Sequence, residues 1–292
     1  GYIDPRQGVE TCGLVEQMAS DEIMLCMTGD PMWAEHCEEV AFNSYPAAVM
    51  PDFKALRYIT CPNHAISDSK NHHPGIDNRG PFLSMNPFSS RCCQHNHAQG
   101  WPYFTEHLVL ATPDNGVATA IYAACKATVK VGDGKEITLH EETNYPFEEG
   151  IAFTVSTDEK VAFPFYLRIP SWTQKVEVRV NGKKVSAAPV AGKYLCINRE
   201  WANGDCVELT LPMSLSMRTW QVNKNSVSVD YGPLTLSLKI AEKYVEKDSR
   251  ETAIGDSKWQ KGADSKKWPT TEIYPDSPWN YSLVLVKKEP LK

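Results

Sequence analysis

The chain has 292 residues, of which 42% are hydrophobic and 23% are charged, and its formal net charge is −6 at pH 7. This composition is that of a globular protein with room for two domains. The negative charge and the lack of a long basic run argue against nucleic acid and anionic membranes as partners. No apolar stretch approaches the ~18 residues of a membrane span.

The first part of the chain predicts helices. Residues 13–27 carry apolar residues loosely at helical spacing, and Gly29 suits the C-cap of that helix. Asp30 fits the N-cap and Pro31 the first position of a second helix, which is expected to run to about Ser44.

The next segment is less regular. Residues 60–90 are rich in Pro, Asn, Ser, His and Gly, which predicts a long irregular stretch of the kind that is often functional or disordered. A short helix is expected over about 98–110. Three or four helices with such an insert bury little surface. We therefore expect the remaining helices of a larger domain to lie upstream of Gly1.

Beyond residue 112 the hydrophobic period changes from 3.6 to 2 residues, which predicts strands. Asn181-Gly182 is a strong hairpin signal, and the polar residues 243–278 are expected to form a surface excursion. Short strands with turn signals favour a β-sandwich. The predicted division is a helical region over 1–110 and a sandwich region over 111–292, built as one sandwich or as two small ones divided near residue 172.

Several other polar or reactive residues receive structural interpretations. The pairs Glu141-Glu142 and Glu148-Glu149 lie among strands and are expected to be exposed. The nine cysteines are odd in number, so they cannot all pair within the chain. Five of them sit in apolar patterns and are interpreted as small core residues: Cys26, Cys37, Cys125, Cys196 and Cys206.

Two short segments concentrate groups that can bind a metal ion, namely Glu10-Thr11-Cys12 and the run from Arg91 to His97, which contains Cys92, Cys93, His95 and His97. One carboxylate and three thiolates would satisfy tetrahedral zinc, and such a site can also hold a nucleophilic cysteine. The two histidines are alternative ligands.

The spacing of these residues restricts the backbone conformations in which their side chains can reach one ion. Glu10 and Cys12 can aim at one point from an extended segment, whereas in a helix they do not share a face. Cys92 and Cys93 are adjacent, so both are expected to reach one ion only from an irregular turn. The pattern is not that of a common zinc motif, and buried, inert cysteines are the alternative interpretation.

Four motifs together resemble the β-L-arabinofuranosidase family, glycoside hydrolase family 127, with its relative family 146. They are Gly-Val-Glu-Thr-Cys-Gly (8–13), Cys-Cys-Gln-His-Asn-His (92–97), Gly-Trp-Pro-Tyr (100–103) and Leu-Arg-Ile-Pro-Ser-Trp (167–172). The resemblance implies an α + β multidomain protein. In that arrangement this chain would supply the C-terminal part of an (α/α)6 toroid, followed by jelly-roll-like β-sandwich domains.

The resemblance also implies the roles of particular residues. It implies Zn²⁺ held by Glu10, Cys12, Cys92 and Cys93, with Cys92 as the nucleophile of a retaining mechanism. A tyrosine between the two cysteine motifs contacts sugar in this family, and Tyr58 is its match here. We take His95 and His97 as further candidates for substrate contacts.

The sequence departs from the family pattern in two places. The family's acid/base is a glutamate some fifteen residues before the Glu-x-Cys motif, and no glutamate precedes Glu10 here. The acid/base and most of the toroid are therefore expected outside this chain. Gln94-His95 stands where well-known members carry prolines, which indicates a distinct subgroup.

The resemblance implies that this chain is part of a retaining zinc-thiolate glycoside hydrolase, which releases L-arabinofuranose or a related sugar from plant glycans. The alternative is a non-catalytic, zinc-stabilised module that binds carbohydrate or has a structural role. The expected partners are a glycoside or oligosaccharide and the N-terminal part of the same protein, and a homo-oligomer is a further possibility. The substrate class favours a periplasmic or extracellular location.

Overall fold

The structure is a computed structural model that describes residues 6–53, 55–68, 70, 82–84, 92–247, 266–267 and 270–282. None of the helices formed by these residues is long and apolar enough to cross a membrane. The helical segments, in chain order, are α1 (Thr11–Thr28), α2 (Pro31–Glu39), a π-helical turn (Val40–Ser44), α3 (Tyr45–Ala47), α4 (Cys92–Asn96), a 3-10 turn (His97–Gln99) and α5 (Gly100–Glu106).

The predicted helix signals are confirmed at the junction of α1 and α2. Gly29 ends α1 in the left-handed conformation at φ 66°, and its N–H donates to the carbonyl oxygen of Leu25. The Asp30 carboxylate accepts a 3.0 Å hydrogen bond from the N–H of Met32, and Pro31 is the first helical residue. The prediction for 98–110 has the wrong bounds, because helical structure begins at Cys92 and ends at Glu106. Most of the predicted irregular stretch 60–90 lies outside the described residues.

Strands make up most of the rest of the described chain. They are β1 (Val9–Glu10), β2 (Ala55–Arg57), β3 (Ile59–Thr60), β4 (Phe82–Ser84), β5 (Val109–Ala111), β6 (Val117–Thr119), β7 (Cys125–Val131), β8 (Lys135–Thr143), β9 (Gly150–Ser156), β10 (Val161–Ile169), β11 (Glu177–Val180), β12 (Lys183–Lys184), β13 (Lys193–Trp201), β14 (Cys206–Thr210), β15 (Leu215–Trp220), β16 (Ser226–Tyr231), β17 (Leu234–Leu236), β18 (Glu242–Lys247) and β19 (Thr270–Pro275).

Two larger sheets share one hydrophobic core. Their strand orders are β13-β10-β6-β5 and β12-β11-β14-β9-β8-β7; β6 and β10 are parallel. Phe163, Phe165 and Leu167 of β10 point inward and are at most 1% exposed, as the period of 2 predicts. They pack with inward residues of the second sheet such as Phe153 and Leu209. Hydrophobic burial between the sheets therefore holds this unit together.

Strand pairing rules out a division near residue 172. β10, which precedes that residue, pairs along its whole length with β13, which follows it. β9 likewise pairs with β14. The two runs of strands are therefore interleaved in both sheets. The Asn181-Gly182 hairpin between β11 and β12 is confirmed, with both residues at positive φ.

The last described part contains the sheet β15-β16-β17 and the hairpin β18-β19. The predicted surface excursion 243–278 is therefore partly strand. Residues 248–265 within it lie outside the described residues.

The interpretations of Glu141 and of some of the cysteines are wrong. Glu141 is buried rather than exposed, because it follows Ile137 and Leu139 at every second position on the inward face of β8. Of the five cysteines interpreted as core residues, Cys37 is buried. Cys26 and Cys196 are exposed and Cys206 is half-buried. Cys125 is half-buried as well, but it packs against the apolar cluster of the helical region.

A buried polar group joins the helices to the two-sheet unit, and we call it the junction cluster: Glu38, Tyr122, Tyr145 and Arg168. Glu38 of α2 forms an ion pair with Arg168 of β10, and both side chains are fully buried. The same carboxylate accepts hydrogen bonds from the N–H of Tyr122 at 3.0 Å and the hydroxyl of Tyr145 at 2.8 Å. The helical segments thus have a fixed place on the sheets.

Candidate metal centre

The four predicted metal ligands lie together, and we call this group the thiol cluster: Glu10, Cys12, Cys92 and Cys93. One ligand atom from each residue lies within 4.8 Å of the ligand atoms of the other three. Glu10 and Cys12 are half-buried, Cys93 is fully buried, and Cys92 is exposed. The cluster therefore opens to solvent on the side of Cys92.

A change from strand to helix brings Glu10 and Cys12 to one point. Glu10 is the last residue of β1 and pairs with Ile59 of β3, while Cys12 is already the second residue of α1. Thr11 lies between them and holds the backbone in place at this point. Its N–H donates to the carbonyl oxygen of Tyr58 at 2.9 Å, and its hydroxyl donates to the carbonyl oxygen of Arg57. The Cys12 thiol donates to Oε2 of Glu10 at 3.2 Å. The prediction of a wholly extended segment is therefore wrong.

Cys92 and Cys93 are the first residues of α4, so the irregular turn predicted for them is also wrong. The start of α1 meets the start of α4 here. The N–H of Cys12, in the first turn of α1, donates to Sγ of Cys93 at 3.4 Å. N–H groups of a first helical turn have no partner within the helix and favour negative charge nearby. This contact therefore favours a thiolate at Cys93.

Tyr58 lies beside the exposed sulfur. Its hydroxyl is 2.7 Å from Sγ of Cys92, and its side chain is 8% exposed. Burial, with the neighbouring thiol and carboxylate groups, raises the pKa of the Tyr58 phenol. The phenol therefore stays protonated and donates whenever Cys92 is a thiolate.

The electrostatics of the thiol cluster are compatible with a bound cation. Burial first, then Glu10 and the other thiols, raise the pKa of Cys12. Burial raises the pKa of Cys93 to about 11, against the opposing effect of its hydrogen bonds with Cys12. Several anions in one half-buried place repel each other, and a bound divalent cation reverses this effect and deprotonates a coordinating thiol. Three sulfurs and one carboxylate oxygen form a donor set that fits zinc.

The two histidines predicted as alternative ligands do not belong to the thiol cluster. His97 is buried, and its ring lies 4.8 Å from the ring of Tyr45, centroid to centroid. Burial lowers the pKa of His97, so its neutral form is favoured. His95 is exposed, and its contact with substrate stays a prediction.

Gly100 explains part of the Gly-Trp-Pro-Tyr motif. It begins α5, and a Cβ atom at this position would overlap the ring of Tyr45. Tyr45 in turn donates a 2.5 Å hydrogen bond from its hydroxyl to the carbonyl oxygen of His97. The motif therefore fixes the segment that begins with Cys92 and Cys93.

Sequence reasoning missed the anchoring role of Thr11 and a second link between the helices that carry the ligands. That link joins Glu22 of α1 to His107 after α5 at 3.1 Å. A threonine at the start of a helix was a visible signal for the first. No local pattern identifies the second, because its partners are far apart in the chain.

Two family models match this chain. The β-L-arabinofuranosidase GH127 catalytic domain matches residues 1–106, and the GH127 middle domain matches residues 116–213. The chain belongs to glycoside hydrolase family 127. The first range ends at residue 106, the last residue of α5, and the second begins at residue 116, just after β5.

Solved structures, two of them described as GH127 enzymes, share the fold of this chain. A β-L-arabinofuranosidase from Geobacillus stearothermophilus T6 is 20% identical with a TM-score of 0.68, over 94% of this chain and 48% of that one. A protein described as a glycoside hydrolase is 23% identical with the same TM-score, over 94% of this chain and 50% of its own. A GH127 β-arabinofuranosidase is 21% identical with a TM-score of 0.62, over 91% and 46%. This family 127 chain thus spans about half the length of these structures. No curated protein sequence matches it.

Proposed function

We propose that this chain is part of a retaining glycoside hydrolase that releases L-arabinofuranose or a related sugar from plant glycans. The observation that carries the proposal is the thiol cluster of a family 127 chain with one sulfur facing solvent. Such a substrate is in keeping with a periplasmic or extracellular location.

Zinc is the cofactor that the donor set fits best. Glu10, Cys12, Cys92 and Cys93 would hold it, in a four-ligand sphere of sulfur and oxygen. Bound zinc supplies a positive charge that keeps the coordinating sulfurs as thiolates at neutral pH. The remaining chemistry belongs to the side chains of the protein and the substrate.

Cys92 is the proposed nucleophile, and its exposure separates it from Cys93. A sugar can approach Cys92 from solvent, whereas Cys93 is 0% exposed beneath it. The Tyr58 hydroxyl, 2.7 Å from the Cys92 sulfur, holds that sulfur in one orientation. We expect Tyr58 to contact a sugar that reaches Cys92, as the family resemblance implies.

The proposed reaction has two displacements. In the first, the Cys92 thiolate attacks the anomeric carbon, the C–S bond forms, and the glycosidic C–O bond breaks as the leaving oxygen takes a proton from a general acid. In the second, the conjugate base of that general acid takes a proton from water, the water oxygen attacks the same carbon, and the electron pair of the breaking C–S bond returns to Cys92. Two inversions give net retention of configuration.

The test uses the whole protein with an aryl β-L-arabinofuranoside and a mechanism-based arabinofuranosyl electrophile. We expect one zinc per chain, hydrolysis with retention, and a covalent adduct that peptide mapping places on Cys92. Cys92→Ala is expected to prevent labelling and to lower turnover by about 10³-fold or more. An adduct on Cys93 would reverse the assignment, and a protein without stoichiometric metal would contradict the proposed site.

A further inference from the structure

Two helical segments carry the two halves of the thiol cluster. α1 has Glu10 at its N-cap and Cys12 in its first turn. The second segment runs from Cys92 and Cys93 at the start of α4 to the end of α5. A metal centre needs ligand positions within a few tenths of an ångström. Its geometry therefore depends on how these two segments are held against each other.

The segments are joined a second time at an ion pair between a buried carboxylate and a half-buried imidazole. Nδ1 of His107, directly after α5, lies 3.1 Å from Oε2 of Glu22 in α1. The Glu22 side chain is 1% exposed and that of His107 is 22% exposed. Helix geometry places Glu22 about 15 Å along α1 from Cys12. The thiol cluster and this ion pair thus connect the same two segments at two separate places.

Several neighbours hold the pair in place. His107 also lies 3.3 Å from the carbonyl oxygen of Tyr103, and the thiol of Cys37 in α2 is 3.6 Å from the other oxygen of Glu22. The hydrogen bond to Glu22 raises the pKa of His107, which favours the charged imidazolium. Charge-assisted hydrogen bonds are roughly twice as strong as those between neutral groups. Around the pair, Phe104 of α5 packs in the same apolar cluster as residues of α1.

We propose that Glu22 and His107 are a positioning pair for the metal centre, which sets the spacing of the two ligand-bearing segments. The inference rests on the proposed metal site. Without the pair, apolar packing holds the end of α5 against α1, and such packing is less directional than a hydrogen bond. The sulfurs at the start of α4 are then expected to shift relative to Cys12.

The chain offers a matched control on the same helix. Asp21, next to Glu22 in α1, pairs with Nδ1 of His36 at 3.0 Å and accepts a 2.8 Å hydrogen bond from Gln17. This pair also joins a buried carboxylate to an imidazole. It connects α1 to α2, however, and α2 carries none of the four ligands.

The experiment compares His107→Ala, His107→Gln and His36→Ala in the whole protein. Zinc affinity is measured by competition with a chromogenic chelator. The thiolate-to-metal absorption of the cobalt form reports the ligand geometry. Thermal unfolding is recorded without metal. His107→Ala is expected to lower zinc affinity about five- to tenfold and to alter the cobalt spectrum. This loss is no larger than the roughly 10–100-fold loss seen when a group bonded directly to a metal ligand is removed. His107→Gln, which keeps an N–H donor, should recover most of the zinc affinity and most of the wild-type cobalt spectrum. His36→Ala should lower the unfolding temperature while affinity and spectrum stay at the wild-type values.

Equal effects of His107→Ala and His36→Ala on affinity, or no effect of the former, would overturn the inference. If His107→Ala does not fold, Glu22→Gln takes its place, with an expected loss of about two- to fivefold, below the same range, and an unchanged affinity would likewise overturn it. A wild-type protein that binds no zinc would contradict the proposed metal site itself. That outcome is separate, because it is seen before any variant is measured.

Discussion

The junction cluster and the thiol cluster both bring polar side chains together from distant parts of the chain, but they differ in how charge is balanced. In the junction cluster the Glu38 carboxylate has a guanidinium, a phenol and a backbone N–H as partners. In the thiol cluster all four ligand groups carry negative charge when ionised. The first group is neutralised by the fold, whereas the second could be neutralised by a bound metal cation.

The comparison predicts that losing a ligand is costly for metal binding. Cys12→Ala is expected to lower zinc affinity roughly 10²–10³-fold, a quarter share of the free energy typical of a four-ligand site. Chelator competition measures this affinity. Cys196→Ala, at an exposed cysteine outside the cluster, should leave it unchanged. Equal losses in both variants would show that the thiol cluster is not the zinc site.

The junction cluster should respond in stability instead. Glu38→Gln removes the charge beside Arg168, and leaving one buried charge unpaired costs about 3–5 kcal/mol. The double variant Glu38→Leu with Arg168→Met removes both charges and should cost less than the sum of the single changes. Urea unfolding measures each free energy. Additive losses, or a parallel loss of zinc affinity, would contradict the distinction drawn here.

The hydrogen bond between the Tyr58 hydroxyl and Cys92 is expected to affect the reactivity of Cys92 but not metal binding. Tyr58→Phe removes the donor to Cys92. Hydrogen bonds to charged groups contribute about 1.5–3 kcal/mol, so turnover should fall roughly 10- to 100-fold with unchanged zinc affinity. Tyr103→Phe is the control, because its hydroxyl bonds to Gln99 on the surface. If both variants turn over at the wild-type rate, Tyr58 does not act on the nucleophile.

The smallest expected effect concerns Glu141, a buried carboxyl near the junction cluster. Burial raises its pKa well above the usual value, so the folded state binds a proton that the unfolded state loses above about pH 4.3. Wild-type stability therefore falls as pH rises through that window towards the raised value. Glu141→Gln lacks this term, so its stability relative to wild type should increase with pH. Urea unfolding between pH 4 and 8 measures it.

The exposed neighbour Glu142 provides the control for that series. Glu142→Gln should follow the wild-type pH dependence. A Glu141→Gln protein with a constant stability difference across the range would show that Glu141 is ionised in the fold.

The sequence by itself determined the local features of this protein. Gly29, Asp30 and Pro31 specify the end of α1 and the start of α2 through backbone conformation and capping, which act within a few residues. The period of 2 specified β10 and β14, and Asn181-Gly182 specified a hairpin. The residue types of the four proposed ligands were also readable, since sulfur and carboxylate chemistry does not depend on the fold.

Only the tertiary structure decided which of these groups meet and which face water. Cys92 and Cys93 are adjacent in sequence, but the packing of α4 on α1 exposes one and buries the other. The burial of Glu141 and the pairing of Glu22 with His107 have the same origin. Contacts between residues far apart in the chain leave no periodic trace in the sequence, because each depends on the docking of several elements at once.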